Sequence, residues 1–334
     1  MSDTRDAPSV IERTRAVAAG AAVVGAHFLK NVPAFVLGEE AVLLAPDGAA
    51  ERRVTTHDGG ILASAGDGTR LVTGGDDGKV VALDARGEAS VVARDPKHRW
   101  IDHVALGPGG AVAWSAGKQA FVRAGAGEPR SIEAPSTVGG LAFAPKGVRL
   151  ALAHYNGASL WFPKTAAAPE RLEWKGSHLS VSFSPDGKFL VTAMQEPVLH
   201  GWRLADRKHM RMSGYSAKVR SFDWSADGKW LASAGSEQLI LWPFQSKDGP
   251  MGKSPRMLAP YPARAVIVSS HPSDAVAAVG YADGLLLLVR IEDGAEILAK
   301  KPGAAPVTAL GWRADGAALA FGTEAGEAGV IDLS

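Results

Sequence analysis

Apolar residues in this chain come in short runs separated by Gly, Pro and Asp turns. The pattern is clearest between Ser177 and Trp242, where it occurs twice. Val181 and Phe183 alternate with Ser180 and Ser182, as in a strand with two unlike faces. Ser184-Pro185-Asp186-Gly187 then turns the chain, Pro fixing φ and Gly taking the φ > 0 position. Phe189 to Ala193 predicts a second strand and Leu199 to Leu204 a third. The same order returns from Val219, through Ser225-Ala226-Asp227-Gly228, to Trp242. Gly187 and Gly228 are 41 residues apart, and Trp202 and Trp242 are 40 apart. One such meander cannot bury both of its faces, but stacking on a copy of itself does so. A period of about 40 residues with three short apolar runs per repeat predicts a β-propeller.

Counting the units gives their number. Third strands end near Ala45, Asp84, Arg123, Trp161, Trp202, Trp242, Arg290 and Asp332. Turns between first and second strands fall at Asp67-Gly68, Gly109-Gly110, Lys146-Gly147, Asp186-Gly187, Asp227-Gly228, Ser273-Asp274 and Asp315-Gly316; the first unit lacks one. Both counts favour eight four-stranded blades, with seven as the alternative. The last blade has no outer strand after Asp332, while Val10 to Val17 alternates and is a spare strand. Their pairing is expected to close the fold and leave no inner edge exposed. Residues 1–9 are expected to form a disordered tail, and 10–334 a single propeller domain with essentially no α-helix. The stretches 163–169 and 245–255 read as surface loops.

Composition narrows the functions. A hydrophobic content of 46% argues against disorder. Lys plus Arg number 36 against 35 acidic residues, so no basic stripe marks a nucleic-acid partner. The absence of cysteine removes disulfides, thiolate metal sites and Cys nucleophiles. No run reaches the roughly 18 apolar residues of a membrane span. Residues 16–26 resemble a signal-peptide core, but Asp3, Asp6 and Glu12 precede them, and Val23 to Phe28 reads equally well as an inner strand. A cytoplasmic protein without a membrane partner is expected.

The segment Ser225-Ala-Asp-Gly-Lys-Trp-Leu-Ala-Ser-Ala-Gly-Ser-Glu-Gln-Leu-Ile-Leu-Trp242 closely resembles the WD40 repeat signature. The resemblance covers nearly the whole chain and is sharpest over 138–242. It implies a four-stranded blade per repeat and a platform for interactions. In that family a Gly-His pair starts a relay from His to a second-strand Ser, a turn Asp and the third-strand Trp. The matching positions here are Tyr215, Ser233, Glu237 and Trp242. Two of the four depart from the pattern, and the resemblance implies a structural network rather than a catalytic one.

Motifs with chemistry are sparse. No Gly-x-Ser-x-Gly elbow, Walker loop or His-Glu-x-x-His is present. Gly74-Gly-Asp-Asp-Gly78 lies between two strands with no following helix, so it reads as a hairpin turn and not a phosphate cradle. His27, His57, His103 and His178 fall on or just before innermost strands, which would place imidazoles in a central channel. Neutral imidazole suits Zn, Cu or Ni, so a metal- or small-ligand-binding propeller is the alternative function. The plainer account is separate polar groups lining a wet channel, and no metal or cofactor is expected. Trp114, Trp161, Trp202, Trp224, Trp230, Trp242 and Trp312 lie on strands and read as core.

The rim of the fold offers the stronger functional candidates. Trp100 precedes an inner strand; Tyr155, Gln195, Ser236 and Tyr281 fall in second-to-third strand turns; Lys218, Arg220 and Arg264 border later inner strands. The resemblance implies that this face carries the partner surface, and Trp, Tyr and Arg are frequent hot-spot residues. The expected partner-binding set is Trp100, Tyr155, Gln195, Lys218, Arg220, Arg264 and Tyr281. The sequence therefore predicts a non-enzymatic, monomeric scaffold that binds a protein or peptide through one face.

Overall fold

A computed structural model describes residues 8–334; the first seven positions of the expected tail lie outside the described residues. The architecture is an all-β propeller built from antiparallel sheets. Among the described residues the only helical segments are two single 3-10 turns, Ile11–Arg13 and Pro108–Gly110. The chain divides into two compact units, 55–214 and the pair of segments 1–54 and 215–334.

The unit made of 1–54 and 215–334 holds four sheets of four strands. The first contains Val23–Leu29, Val32–Leu37, Ala41–Leu44 and Arg52–Thr55. Next come Phe222–Trp224, Trp230–Ser233, Leu239–Pro243 and Arg256–Leu258, then Ala265–Ser270, Val276–Tyr281, Leu286–Arg290 and Glu296–Lys300. The fourth contains Val307–Trp312, Ala318–Thr323 and Glu327–Asp332, completed by Thr14–Ala18 from the start of the chain. Thr14 faces Ile331 and Ala18 faces Glu327, so the expected N-terminal strand forms at this edge. It begins at Thr14, because Ile11–Arg13 coils into a 3-10 turn. Pro8 and Ser9 are also fastened: Leu298 N–H donates to Pro8 O at 2.8 Å, and Ser9 bridges Leu298 in parallel.

These sheets stack through alternating apolar faces. Leu239, Leu241, Val268, Val279 and Leu287 share one core layer, and Leu286, Leu288, Leu319, Phe321 and Ile331 another. Innermost strands approach closely: a Cβ at Gly311 would lie 2.2 Å from Ala26 O, so glycine is required where Val307–Trp312 presses on Val23–Leu29.

The unit over 55–214 holds Ile61–Gly66, Arg70–Gly75, Lys79–Asp84 and Ala89–Arg94, then His103–Gly107, Ala111–Ala116, Gln119–Arg123 and Arg130–Glu133. Its remaining strands join in one six-stranded sheet: Gly140–Phe143, Leu150–Trp161, Glu170–Phe183, Phe189–Met194, Leu199–Arg203 and Lys208–Met212. Among the described residues the strands thus form seven hydrogen-bonded sheets, which matches the alternative count of seven and not the favoured eight. Two long strands cause the merger. Residues 150–153 pair with Gly140–Phe143, while 157–160 pair with 170–173. The far end of that second strand, 178–183, pairs onward with Phe189–Met194. Between the two halves of Leu150–Trp161 the backbone turns through Asn156 (φ 66°) and Gly157 (φ 137°).

The repeated Ser-x-Asp-Gly turn has a concrete structure. Ser184 Oγ donates to Asp186 Oδ1 at 2.6 Å and accepts from Phe189 N–H at 2.9 Å. Lys188 N–H reaches the same Asp186 oxygen at 3.0 Å. Ser225, Asp227, Lys229 and Trp230 repeat the arrangement, with Gly187 and Gly228 at φ 72° and 67°.

Candidate functional site

Three predicted cations converge in the unit made of 1–54 and 215–334. Lys218 and Arg220 precede Phe222–Trp224, and Arg264 precedes Ala265–Ser270. All three line a cleft of about 680 Å³, with Glu324 on another wall and Val266, Ile267 and Val307 among its apolar residues. The register of Ala265–Ser270 against Val276–Tyr281 slips between Ala265 and Ile267, so Val266 bulges out of the ladder at the cleft. Arg264 also acts on the exposed Glu237. That carboxyl is held below its ordinary range chiefly by a backbone hydrogen bond and the Ser216 hydroxyl, with the Arg264 charge adding to them.

Trp100, Tyr155 and Gln195 belong to the unit 55–214. Trp100 is 63% exposed and Tyr155 55%, and Gln195 is exposed. Tyr155 lines a second cleft of about 720 Å³ with Ser136, His154, Arg171 and Trp174; Trp100 and Gln195 do not line it. Tyr281 corrects the expected set: it is 0% exposed. It closes a strand instead of tipping a turn, donates its hydroxyl to Ala259 O at 2.5 Å and meets Tyr261 edge-on. Its side chain belongs to the core and is not presented to a partner.

The structural network forms with one change of membership. Trp242 Nε1–H donates to Tyr215 Oη, Tyr215 Oη and Ser233 Oγ lie 2.7 Å apart, and Ser233 donates to Ile240 O at 3.0 Å. Burial pushes the Tyr215 phenol well above its ordinary range, so the hydroxyl keeps its proton. Glu237 is not part of this chain: it accepts from Ser216 Oγ at 3.0 Å and from Ser236 Oγ at 3.3 Å.

A fuller relay sits where the sequence suggested a plain hairpin. His57 Nδ1 lies 2.9 Å from Asp77 Oδ1 and His57 Nε2 2.8 Å from Thr73 Oγ1. Asp77 is an acceptor only, so it takes the Nδ1 proton and fixes the ring. Burial works to raise the Asp77 pKa, but the bonds from His57 and from the backbone N–H groups of Asp58 and Lys79 prevail and hold it well below the usual carboxylate range. The signal was present, since Asp77 stands in a turn after a second-strand Thr and His57 precedes the first strand.

The other inner-strand histidines are engaged separately. His103 Nε2 lies 3.1 Å from Val138 O, and His178 contacts Thr192 Oγ1 at 2.7 Å and Trp174 O at 3.0 Å. Loss of solvent around His27 pulls its imidazole down to about 4. Among the described residues no group of three or more His, Cys, Asp or Glu is placed to hold a metal ion. An unforeseen cluster surrounds His200, which stacks on Trp174 at 4.1 Å and meets Trp202 edge-on at 4.7 Å. His200 is 0% exposed, and neither ring nitrogen has a hydrogen-bond partner among the described residues.

Residues 207–242 match the family described as WD40: WD domain, G-beta repeat. No curated protein matches the chain. The computationally designed Ika8 protein superposes with a TM-score of 0.75 over 93% of this chain and 96% of its own, at 16% identity. In all, 1725 solved chains match, so the likeness speaks to fold and leaves function open.

Proposed function

We propose that this chain, a β-propeller whose residues 207–242 match the WD40 repeat, is a non-enzymatic scaffold binding a protein or peptide partner through one face. WD40 propellers commonly serve as interaction platforms. The observation that carries the proposal is the convergence of Lys218, Arg220 and Arg264 on one cleft. Long cations on the segments that lead into two neighbouring strands make a preformed patch beside the sheets, which leaves little ordering cost at binding. The exposed Trp100 and Tyr155 supply large side chains of the hot-spot class. No helix among the described residues is long and apolar enough to cross a membrane.

We count eight blades in this reading, taking the six-stranded sheet as two four-stranded repeats whose neighbouring strands run on without a break. We also take residues 10–334 as one domain, cytoplasmic and monomeric. The deciding experiment is affinity capture from native lysate with the parent and the variants Trp100→Ala, Tyr155→Ala and Arg264→Ala. A partner retained by the parent and weakened by at least one variant of unchanged stability supports the proposal. Equal capture by the parent and all three overturns it.

A further inference from the structure

We propose that the cleft of Lys218, Arg220 and Arg264 selects an extended acidic peptide that carries an apolar anchor residue. This deepens the scaffold reading and rests on it. Charge is the first ground. The chain as a whole is nearly neutral, at +1, with acidic and basic residues interspersed. The cleft departs from that balance: three cations line it against the single carboxylate of Glu324. Low-dielectric walls concentrate the field of such a set and favour an anionic ligand.

The shape and floor supply the second ground. Val266, Ile267, Pro306 and Val307 give the cleft an apolar surface between the charged residues. An inorganic anion has no use for that surface, whereas a peptide side chain does. The bulge at Val266 takes that residue out of the strand ladder and re-aims it where the cleft opens. A cleft of about 680 Å³ accommodates a few residues of extended chain. The guanidinium groups of Arg220 and Arg264 present planar forks suited to carboxylates. Glu324 disfavours a uniformly acidic tract and leaves room for a neutral or basic residue beside the acidic ones.

The test pans a random dodecapeptide library on the full-length protein and measures the selected peptides by fluorescence anisotropy. Selected sequences are expected to be enriched in Asp or Glu next to an aliphatic or aromatic residue, with affinity falling as salt rises. The double variant Arg220→Glu, Arg264→Glu should bind them about tenfold more weakly or worse, at an unchanged melting temperature. Val266→Asp should lose the preference for the apolar residue. If the double variant unfolds, the milder Arg220→Gln, Arg264→Gln takes its place. Neutral or basic selected peptides, no selected peptide at all, or equal binding by the charge variants overturns the assignment. The scaffold reading is judged separately: a protein captured from lysate equally by parent and double variant, yet lost in Trp100→Ala or Tyr155→Ala, keeps the scaffold and removes the acidic peptide from this cleft.

Discussion

Trp242 gives its indole N–H to the Tyr215 hydroxyl at 2.7 Å, inside the repeat that most closely follows the family signature. Both side chains are buried. Tyr215→Phe removes the acceptor and leaves the N–H unsatisfied, at a cost of about 1–3 kcal/mol. Trp242→Ala also empties core volume and should cost about 3–5 kcal/mol. Urea denaturation of the two variants checks both the order and the sizes.

The bare nitrogens of His200 make an opposite prediction. His200→Phe preserves a flat ring against Trp174 and removes two unsatisfied buried groups, so it should stabilise by about 1–3 kcal/mol. Burial takes this imidazole from its ordinary 6.5 down to about 3. A histidine with a depressed folded value contributes stability above about 6.5 that is lost as the pH falls toward 3. The advantage of the Phe variant should therefore widen between pH 7 and pH 5. A variant less stable than the parent at both pH values refutes this account.

Asp223 works in the reverse direction. Burial raises its carboxyl from 3.8 to about 6, against the opposing hydrogen bonds from Ser270 and Trp224 N–H. An acid with a raised folded value contributes stability that is full below about 3.8 and lost as the pH rises through about 6. Asp223→Asn lacks this titration, so thermal melts should show the variant gaining on the parent from pH 4 to pH 7. A constant difference across that range counts against it.

Deleting residues 1–18 removes the strand that faces Glu327–Asp332 and the buried Val17. The loss should be about 3 kcal/mol. An unchanged melting temperature in the truncated protein shows that the sheet edge does not need this strand.

Trp100→Ala and Tyr155→Ala should stay within about 0.5 kcal/mol of the parent, as exposed positions do. Tyr281→Ala should cost about 3–5 kcal/mol, because its ring is fully enclosed. Melting curves of the three separate surface side chains from core ones.

Strands and turns were legible because their signals are local. Alternation along 180–183 and the Ser-Pro-Asp-Gly turn each declare themselves within a few residues, and the third strands fell where expected. Pairing of the N-terminal strand was also legible, from the strand missing after Asp332. Sheet count was harder, since whether Glu170–Phe183 breaks between its two roles depends on backbone hydrogen bonds that no residue type announces. Side-chain direction was harder still. Tyr281 is the last residue of its strand instead of the first of the turn, and that one-position difference turns a surface tyrosine into a core one. The Asp77 relay and the Trp174–His200 stack join residues tens of positions apart, beyond what spacing alone conveys.

The ladder between Thr14–Ala18 and Glu327–Asp332 also bears on how copies of the chain meet one another. Thr14–Ala18 is synthesised long before Glu327–Asp332, so the early strand keeps a bare edge while everything between them is made. The Thr14–Ala18 strand of a second molecule offers the same hydrogen bonds in the same register. At high concentration, or after partial unfolding at this seam, exchange of that strand gives a swapped dimer with no new contact required. The seam that completes the sheet is thereby also the place where two molecules can become entangled.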